Sequence, residues 1–120
     1  MGDQFNPSQP IYLQLVQRIS RQIIRGDLNP GDRLPSVRET ALQFGVNPNT
    51  VQRAYAELER MKIVEPRRGQ GSFVTEDTNR LQELREQLKN EQIEAFLGYM
   101  REMGFNTEEV IQSIKDYANK

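Results

Sequence analysis

The 120 residues carry 36% hydrophobic and 28% charged side chains with a formal net charge of -1 and a mean hydropathy of -0.76. That leaves room for one modest core plus an appendage in a water-compatible, helix-rich chain. Zero Cys excludes disulfides and thiolate sites, and zero His removes the commonest general base and metal ligand. With no poised carboxylate pair in their place, the expectation is a protein that is not an enzyme and holds no metal or cofactor. No apolar run approaches the roughly 18 residues that span a bilayer, and residues 1–10 are polar rather than signal-like. A cytoplasmic protein without a membrane partner is expected.

Residues 1–9 lack periodicity and read as an arm ordered only in part. Pro10 opens a helix to about Arg25, with Tyr12, Leu15, Val16, Ile19 and Ile23 on one face and Gly26 as its stop. Arg18, Arg21 and Arg25 lie outside, where a solvated face is a better reading than phosphate binding. Asp27 to Pro35 holds Gly31 and two prolines and reads as a turn-rich connection. Ser36 followed three residues later by Glu39 is a capping box, so a short helix is predicted over 36–44, with Val37, Ala41, Leu42 and Phe44 toward the core.

The next helix is the best defined. Asn47 can cap it, and Pro48 at the first helical position sacrifices no hydrogen bond because that N–H has no partner within a helix. Val51, Ala54, Tyr55 and Leu58 recur at i, i+3, i+4 and i+7 and define a buried face. At about 100° per residue, Asn49, Gln52, Arg53 and Ala56 fall opposite. Two amides, a guanidinium and a methyl suit base edges better than catalysis. Two short helices joined by a turn containing Gly45, the second with this polar start, carry the signature of a helix-turn-helix.

After Met61, Ile63–Pro66 and Ser72–Thr75 read as strands around Arg67-Arg68-Gly69-Gln70-Gly71. Pro66 cannot donate to a ladder, which suits an edge. A nucleotide cradle would need a helix right after the glycines, whereas a strand follows. A basic hairpin behind a recognition helix is the wing of a winged helix. The fold class expected is therefore mainly α with a small β wing, followed by a two-helix C-terminal segment.

Four stretches in order, PIYLQLVQRI, PGDRLPSVRE, GVNPNTVQRAYAELER and RRGQGSFV, make the chain resemble the GntR family of bacterial transcription regulators. The resemblance points in particular to the short YtrA-like subfamily. It is dense over residues 5–75, and the remaining 45 match by size and helical character. The larger groups of the family carry an effector-binding or aminotransferase-like domain, for which this chain is too short. The resemblance implies that Arg38 reaches bases or phosphates, and that Asn47, Asn49, Thr50, Gln52 and Arg53 touch the major groove. It also implies that Arg68 and Gly69 enter the minor groove, with Ser36, Pro48 and Arg67 in the same surface. The chemistry agrees, since Arg pairs bidentately with guanine and an amide with adenine, and helix N-terminal N–H groups attract phosphate. A glycine with an adjacent Arg suits a narrow, electronegative minor groove.

Simpler readings stand beside these. Arg38 can pair with Glu39 or Asp32, Asn47 is first a cap, and Arg53 can be a solvated helix residue. Gln52 stands where many family members carry Arg, which shifts the expected contact toward Arg53. Lys62 stands where the family commonly has Gly. If that position needs a positive φ, Lys costs roughly 1 kcal/mol, a matter of stability and not recognition.

The charge divides the chain near residues 75–79. Residues 1–75 hold ten Lys/Arg against seven Asp/Glu, and residues 76–120 hold six against ten, giving a basic DNA-binding module and an acidic helical segment. In the latter, Leu81, Leu84, Leu88, Phe96, Tyr99, Met100 and Met103 form an apolar stripe. Gly98 is a candidate bend, and Met103-Gly104 a stop. Asn106 with Glu109 forms a second capping box, Phe105 can staple to Val110, and Ile111, Ile114 and Tyr117 continue the stripe. About 40 residues in two helices rarely hold a core alone, so homodimerisation is the leading expectation and folding back onto the winged helix the alternative. The expected function is a sequence-specific repressor on a pseudo-palindromic double-stranded DNA operator. The subfamily suggests a transporter operon, and an unknown small-molecule effector is allowed for. The alternative is a winged-helix protein-interaction adaptor, for which the net negative charge argues.

Overall fold

The computed structural model describes residues 5–120, which form α1 (Ile11–Arg25), α2 (Val37–Phe44), α3 (Pro48–Arg60), β1 (Val64–Arg67), β2 (Gly71–Val74), α4 (Thr78–Glu102) and α5 (Thr107–Ala118). They divide into two compact units, one up to Gln82 and the other Glu83–Lys120.

In the first unit, α3 packs against α1, α2 and β1. The core is built from Leu15, Val16, Ile19 and Ile23 of α1 with Val51, Ala54, Tyr55 and Leu58 of α3, closed by Leu34, Ala41, Ile63, Val64 and Val74. Each large aliphatic side chain buried here contributes roughly 1.5–3 kcal/mol against exposure. Tyr55 also carries a polar tie. Its hydroxyl donates to the Pro35 carbonyl at 2.7 Å and lies 2.8 Å from the Thr40 hydroxyl, fastening α3 to the start of α2. Burial pushes this phenol upward from its ordinary pKa.

Local chemistry sets the helix ends. The Ser36 capping box is complete, with Glu39 N–H donating to Ser36 Oγ at 3.0 Å and Ser36 N–H to Glu39 Oε1 at 2.9 Å. Asn47 Oδ1 accepts from Asn49 N–H at 2.8 Å, and Pro48 occupies the first turn as expected. Past α3 the chain turns through Lys62 at φ 64. This is the left-handed conformation that glycine adopts without strain, so the cost expected there is real.

Two expectations are corrected. Leu42 does not face the core, being 78% exposed, because Val37, Ala41 and Phe44 repeat at i, i+4 and i+7 and Leu42 lies about 100° from Ala41. The strands run one residue later at the first and one earlier at the second, Val64–Arg67 and Gly71–Val74. The register Arg67↔Gly71 thereby shortens the turn to Arg68–Gln70. Gly98 lies inside α4, which runs unbroken to Glu102.

The arm is partly legible. Its first four residues lie outside the described residues. The next ones are held by the buried Gln14, whose Oε1 accepts from Asn6 N–H at 2.7 Å. Gln14 Nε2 donates to the carbonyls of Asn6 at 2.6 Å and Gln9 at 2.9 Å. Phe5 then lies 6.3 Å from Phe44, ring to ring, with the Arg18 guanidinium 4.4 Å and 5.5 Å over the two rings.

In the second unit the Asn106–Glu109 capping box is complete, at 2.8 Å and 3.1 Å. α4 and α5 leave between them an apolar groove of about 490 Å³, lined by Phe96, Met100, Phe105, Val110, Ile114 and Tyr117 among others. Leu84 and Val110 are buried, Leu88 and Met100 are half-buried, and Phe96, Tyr99, Met103, Ile114 and Tyr117 are exposed, while Leu81, which falls in the first unit, is half-buried.

Candidate nucleic-acid interface

The turn Gly45–Asn47 carries the chain from α2 into α3, with Gly45 at φ 66. On the outer side of α3, Asn49, Gln52, Arg53 and Ala56 are exposed and Thr50 is half-buried. Among the described residues the side chains of Asn49 and Gln52 have no hydrogen-bond partner in the fold. Two amides with both donors and acceptors open at a helix N-terminus can pair with a base edge without first breaking anything. Asn47 spends its oxygen on the cap, so its NH₂ is what remains to donate to a phosphate. Ser36 is likewise committed as an acceptor, while its hydroxyl hydrogen is available.

Arg38, in the first turn of α2, is exposed and has no ion-pair or hydrogen-bond partner among the described residues. The pairing with Glu39 or Asp32 weighed above does not form. Glu39 is held by Ser36, whose backbone and hydroxyl hydrogen bonds lower its carboxyl pKa, with the charge of Arg33 adding to the effect. Arg53 is a different case. Its guanidinium lies 3.9 Å over the ring of Tyr12, which is half-buried in the first turn of α1.

In the wing, Arg68 is exposed and Gly69 sits at φ 75 in the turn. Arg67 is folded back instead, 4.1 Å over the Phe73 ring and 3.8 Å from the Glu76 carboxylate. The hairpin tip and its base therefore present their cations differently.

Arg33 belongs to this surface and is missed by sequence reasoning. The segment around it reads as loop, yet Gly31 N–H donates to the Val74 carbonyl at 2.9 Å, Val74 N–H to Asp32 at 2.8 Å and Leu34 N–H to Ser72 at 2.8 Å. A bridge pairs Arg33 with Phe73. The side chain crosses Gly71 so closely that a Cβ there would stand 3.1 Å from Arg33 Nε, so the second wing glycine makes room for a cation. The only signal in the sequence is the Arg itself, since Gly31, Asp32 and Pro35 around it mask strand character.

No helix among the described residues is long and apolar enough to cross a membrane, and no cluster of three or more acidic residues there is arranged to hold a metal. What the site offers is hydrogen-bond donors, acceptors and fixed positive charge.

Comparison with known proteins agrees. The family model described as "Bacterial regulatory proteins, gntR family" matches residues 11–74. The chain is 49% identical over 117 residues to the uncharacterized HTH-type transcriptional regulator YhcF of Bacillus subtilis, covering 98% of this chain and 97% of that one. It is 43% identical over 94 residues to the HTH-type transcriptional repressor YtrA of the same organism, covering 73% and 72%. Among solved structures it is similar to a GntR family transcriptional regulator from Listeria monocytogenes, with a TM-score of 0.88, 42% identity and coverage of 93% and 98%. The DNA-binding domain of AraR in complex with operator ORX1 is similar over 56% of this chain and 81% of that one, with a TM-score of 0.54 and 31% identity. These relatives are transcriptional regulators and not enzymes, the fold is the winged helix with C-terminal helices, and the chain belongs to the GntR family of DNA-binding bacterial regulatory proteins.

Proposed function

We propose that this chain is a sequence-specific repressor that works in the cytoplasm as a homodimer on a pseudo-palindromic operator. The observation that carries the DNA reading is the open outer face of α3, where Asn49 and Gln52 have no partner within the fold. Thr50 and Arg53 lie beside them, and unpaired Arg38 and the Arg68–Gly69 wing tip complete the surface. Direct readout falls to Asn49 and Gln52, and Arg38 can take a guanine or a phosphate. Asn47, Ser36 and the N-terminus of α3 at Pro48 favour phosphate. Arg67, tied to Phe73 and Glu76, holds the hairpin in shape.

Dimerisation is supported by the second unit, whose exposed Phe96, Tyr99, Met103, Ile111, Ile114 and Tyr117 call for a cover that a second copy would supply. Two recognition helices then meet half-sites about 10 to 10.5 bp apart or a multiple of that. The names of the relatives support repression, and the subfamily resemblance points to a transporter operon as target. Any effector would act by altering the dimer.

The test is selection of bound fragments from the source genome by the full-length protein, with and without candidate metabolites, followed by binding of the enriched duplex as salt is raised. A shared palindromic motif, affinity that falls steeply with salt, and loss of specific binding in Arg38→Ala are expected. Absence of any enriched motif at low salt would overturn the reading. A monomer in sedimentation at micromolar concentration would remove the dimer from it.

A further inference from the structure

Resting on that DNA reading, we infer that Arg53 grips the DNA backbone instead of reading a base, and that Tyr12 of α1 is the residue that positions it. Three observations lead there. The central carbon of the Arg53 guanidinium lies over the Tyr12 ring, 3.9 Å from its centroid. Stacking occupies the π face of a guanidinium and leaves its N–H groups, which point outward in its plane, free to bond a tetrahedral oxyanion. The stack thus orders the side chain before DNA arrives and removes part of the entropy cost of ordering a long, flexible arm.

The second observation concerns the nearest competitor. Glu57 lies one turn beyond Arg53, at the i+4 spacing that favours an ion pair within a helix. Here it is engaged by Arg60, whose Nε donates to Glu57 Oε1 at 3.0 Å and whose Nη2 pairs with the other oxygen. With Glu57 occupied and the ring beneath it, Arg53 is withheld from an internal ion pair and keeps its charge for a partner outside the chain.

The third is direction. Asn49 lies at the middle of the open face of α3, with Gln52 about 60° to one side of it and Arg53 about 40° to the other. Arg53 is drawn to the flank that meets α1, because Tyr12 belongs to α1. A helix lying in a groove meets bases with its middle and the groove walls, which are phosphates, with its flanks. The absence of the family's common Arg at position 52 is therefore not made good by Arg53. Base readout on this face rests on amides.

The experiment uses the full chain and two probes, a duplex enriched from a random-sequence pool by the wild-type protein and a scrambled duplex of equal length. Arg53→Ala and Tyr12→Leu are each expected to weaken binding to both duplexes by about threefold to tenfold. Each should lower the slope of log K against log salt by about one per protomer, with the ranking of single-base-pair variants unchanged. In the double variant the loss should equal that of Arg53→Ala alone, since Tyr12 acts through Arg53, and Tyr12→Phe, which keeps the ring, should stay within about twofold of wild type. Thermal unfolding of each variant separates lost folding from lost positioning, because partial unfolding lowers the active fraction without changing the salt slope. Additive losses in the double variant, or relaxed specificity at one base pair in Arg53→Ala, would overturn the assignment while leaving the DNA reading intact. Failure of the wild-type protein to enrich any duplex would overturn both.

Discussion

The two units treat their apolar residues in opposite ways. In the winged helix, residues of α1, α3 and the wing close over one another until Leu15, Val51, Leu58, Ile63 and Val74 are fully buried. In the second unit, Tyr117 is 78% exposed, Tyr99 67% and Ile114 52%, and the apolar groove between α4 and α5 lies open. Three helices and a hairpin enclose a volume, whereas two helices have only one face each to offer the other. The first unit is finished as a single chain and carries its polar work outside. The second keeps apolar surface in the open, which single soluble chains rarely do on this scale.

The comparison breaks most visibly if a side chain is removed from the finished core. Leu58→Ala leaves a cavity among α3, α1 and the wing and is expected to cost about 2–5 kcal/mol. Urea unfolding should show this loss regardless of protein concentration. Ile114→Asp attacks the other side. It places a charge at the rim of the groove, so the winged helix should keep its fold by circular dichroism while sedimentation shifts toward monomer and the melting temperature loses its dependence on concentration. If the variant instead melts with the core and its oligomeric state is unchanged, the two units are not as different as their surfaces suggest.

Smaller effects sharpen the picture at the helix ends. Ser36→Ala removes the cap of α2 and should cost about 1 kcal/mol. The paired variant Glu39→Ala has a pH signature. The Glu39 carboxyl is held below its ordinary value of 4.5 by its hydrogen bonds to Ser36, so its contribution is full above that value and fades as pH falls through the lowered one. The stability gap between wild type and Glu39→Ala should be constant at neutral pH and close in acid. Smallest and opposite in sign, Lys62→Gly relieves the left-handed backbone at φ 64. It should raise stability by up to about 1 kcal/mol, leaving affinity for DNA unchanged.

Helix ends were legible because capping is decided within four residues. Ser36 with Glu39, Asn47 with Pro48 and Asn106 with Glu109 each act as expected. Faces were legible where the apolar period was clean, as in α3. Leu42 shows the limit, since α2 has eight residues, too few for the period alone to say which of several apolar side chains turns outward. The candidate site divides along the same line. Asn49, Gln52, Arg38 and Arg68 could be placed from helix geometry and turn chemistry, but their freedom from internal partners could not, because that depends on where every other charged group ends up.

What the chain determined by itself, then, is the order of elements, their caps and the polar outer face of α3, all consequences of forces acting over a few residues. Tertiary structure decided the rest, through contacts between residues far apart in the chain. It tied the loop at Arg33 to β2 through a bridge to Phe73 and fastened the arm through Gln14. It folded Arg67 back on Phe73 and laid Arg53 across Tyr12, 41 positions earlier in the chain. Such pairings leave no periodic trace in a sequence, because ring and cation meet only after the helices that carry them have packed.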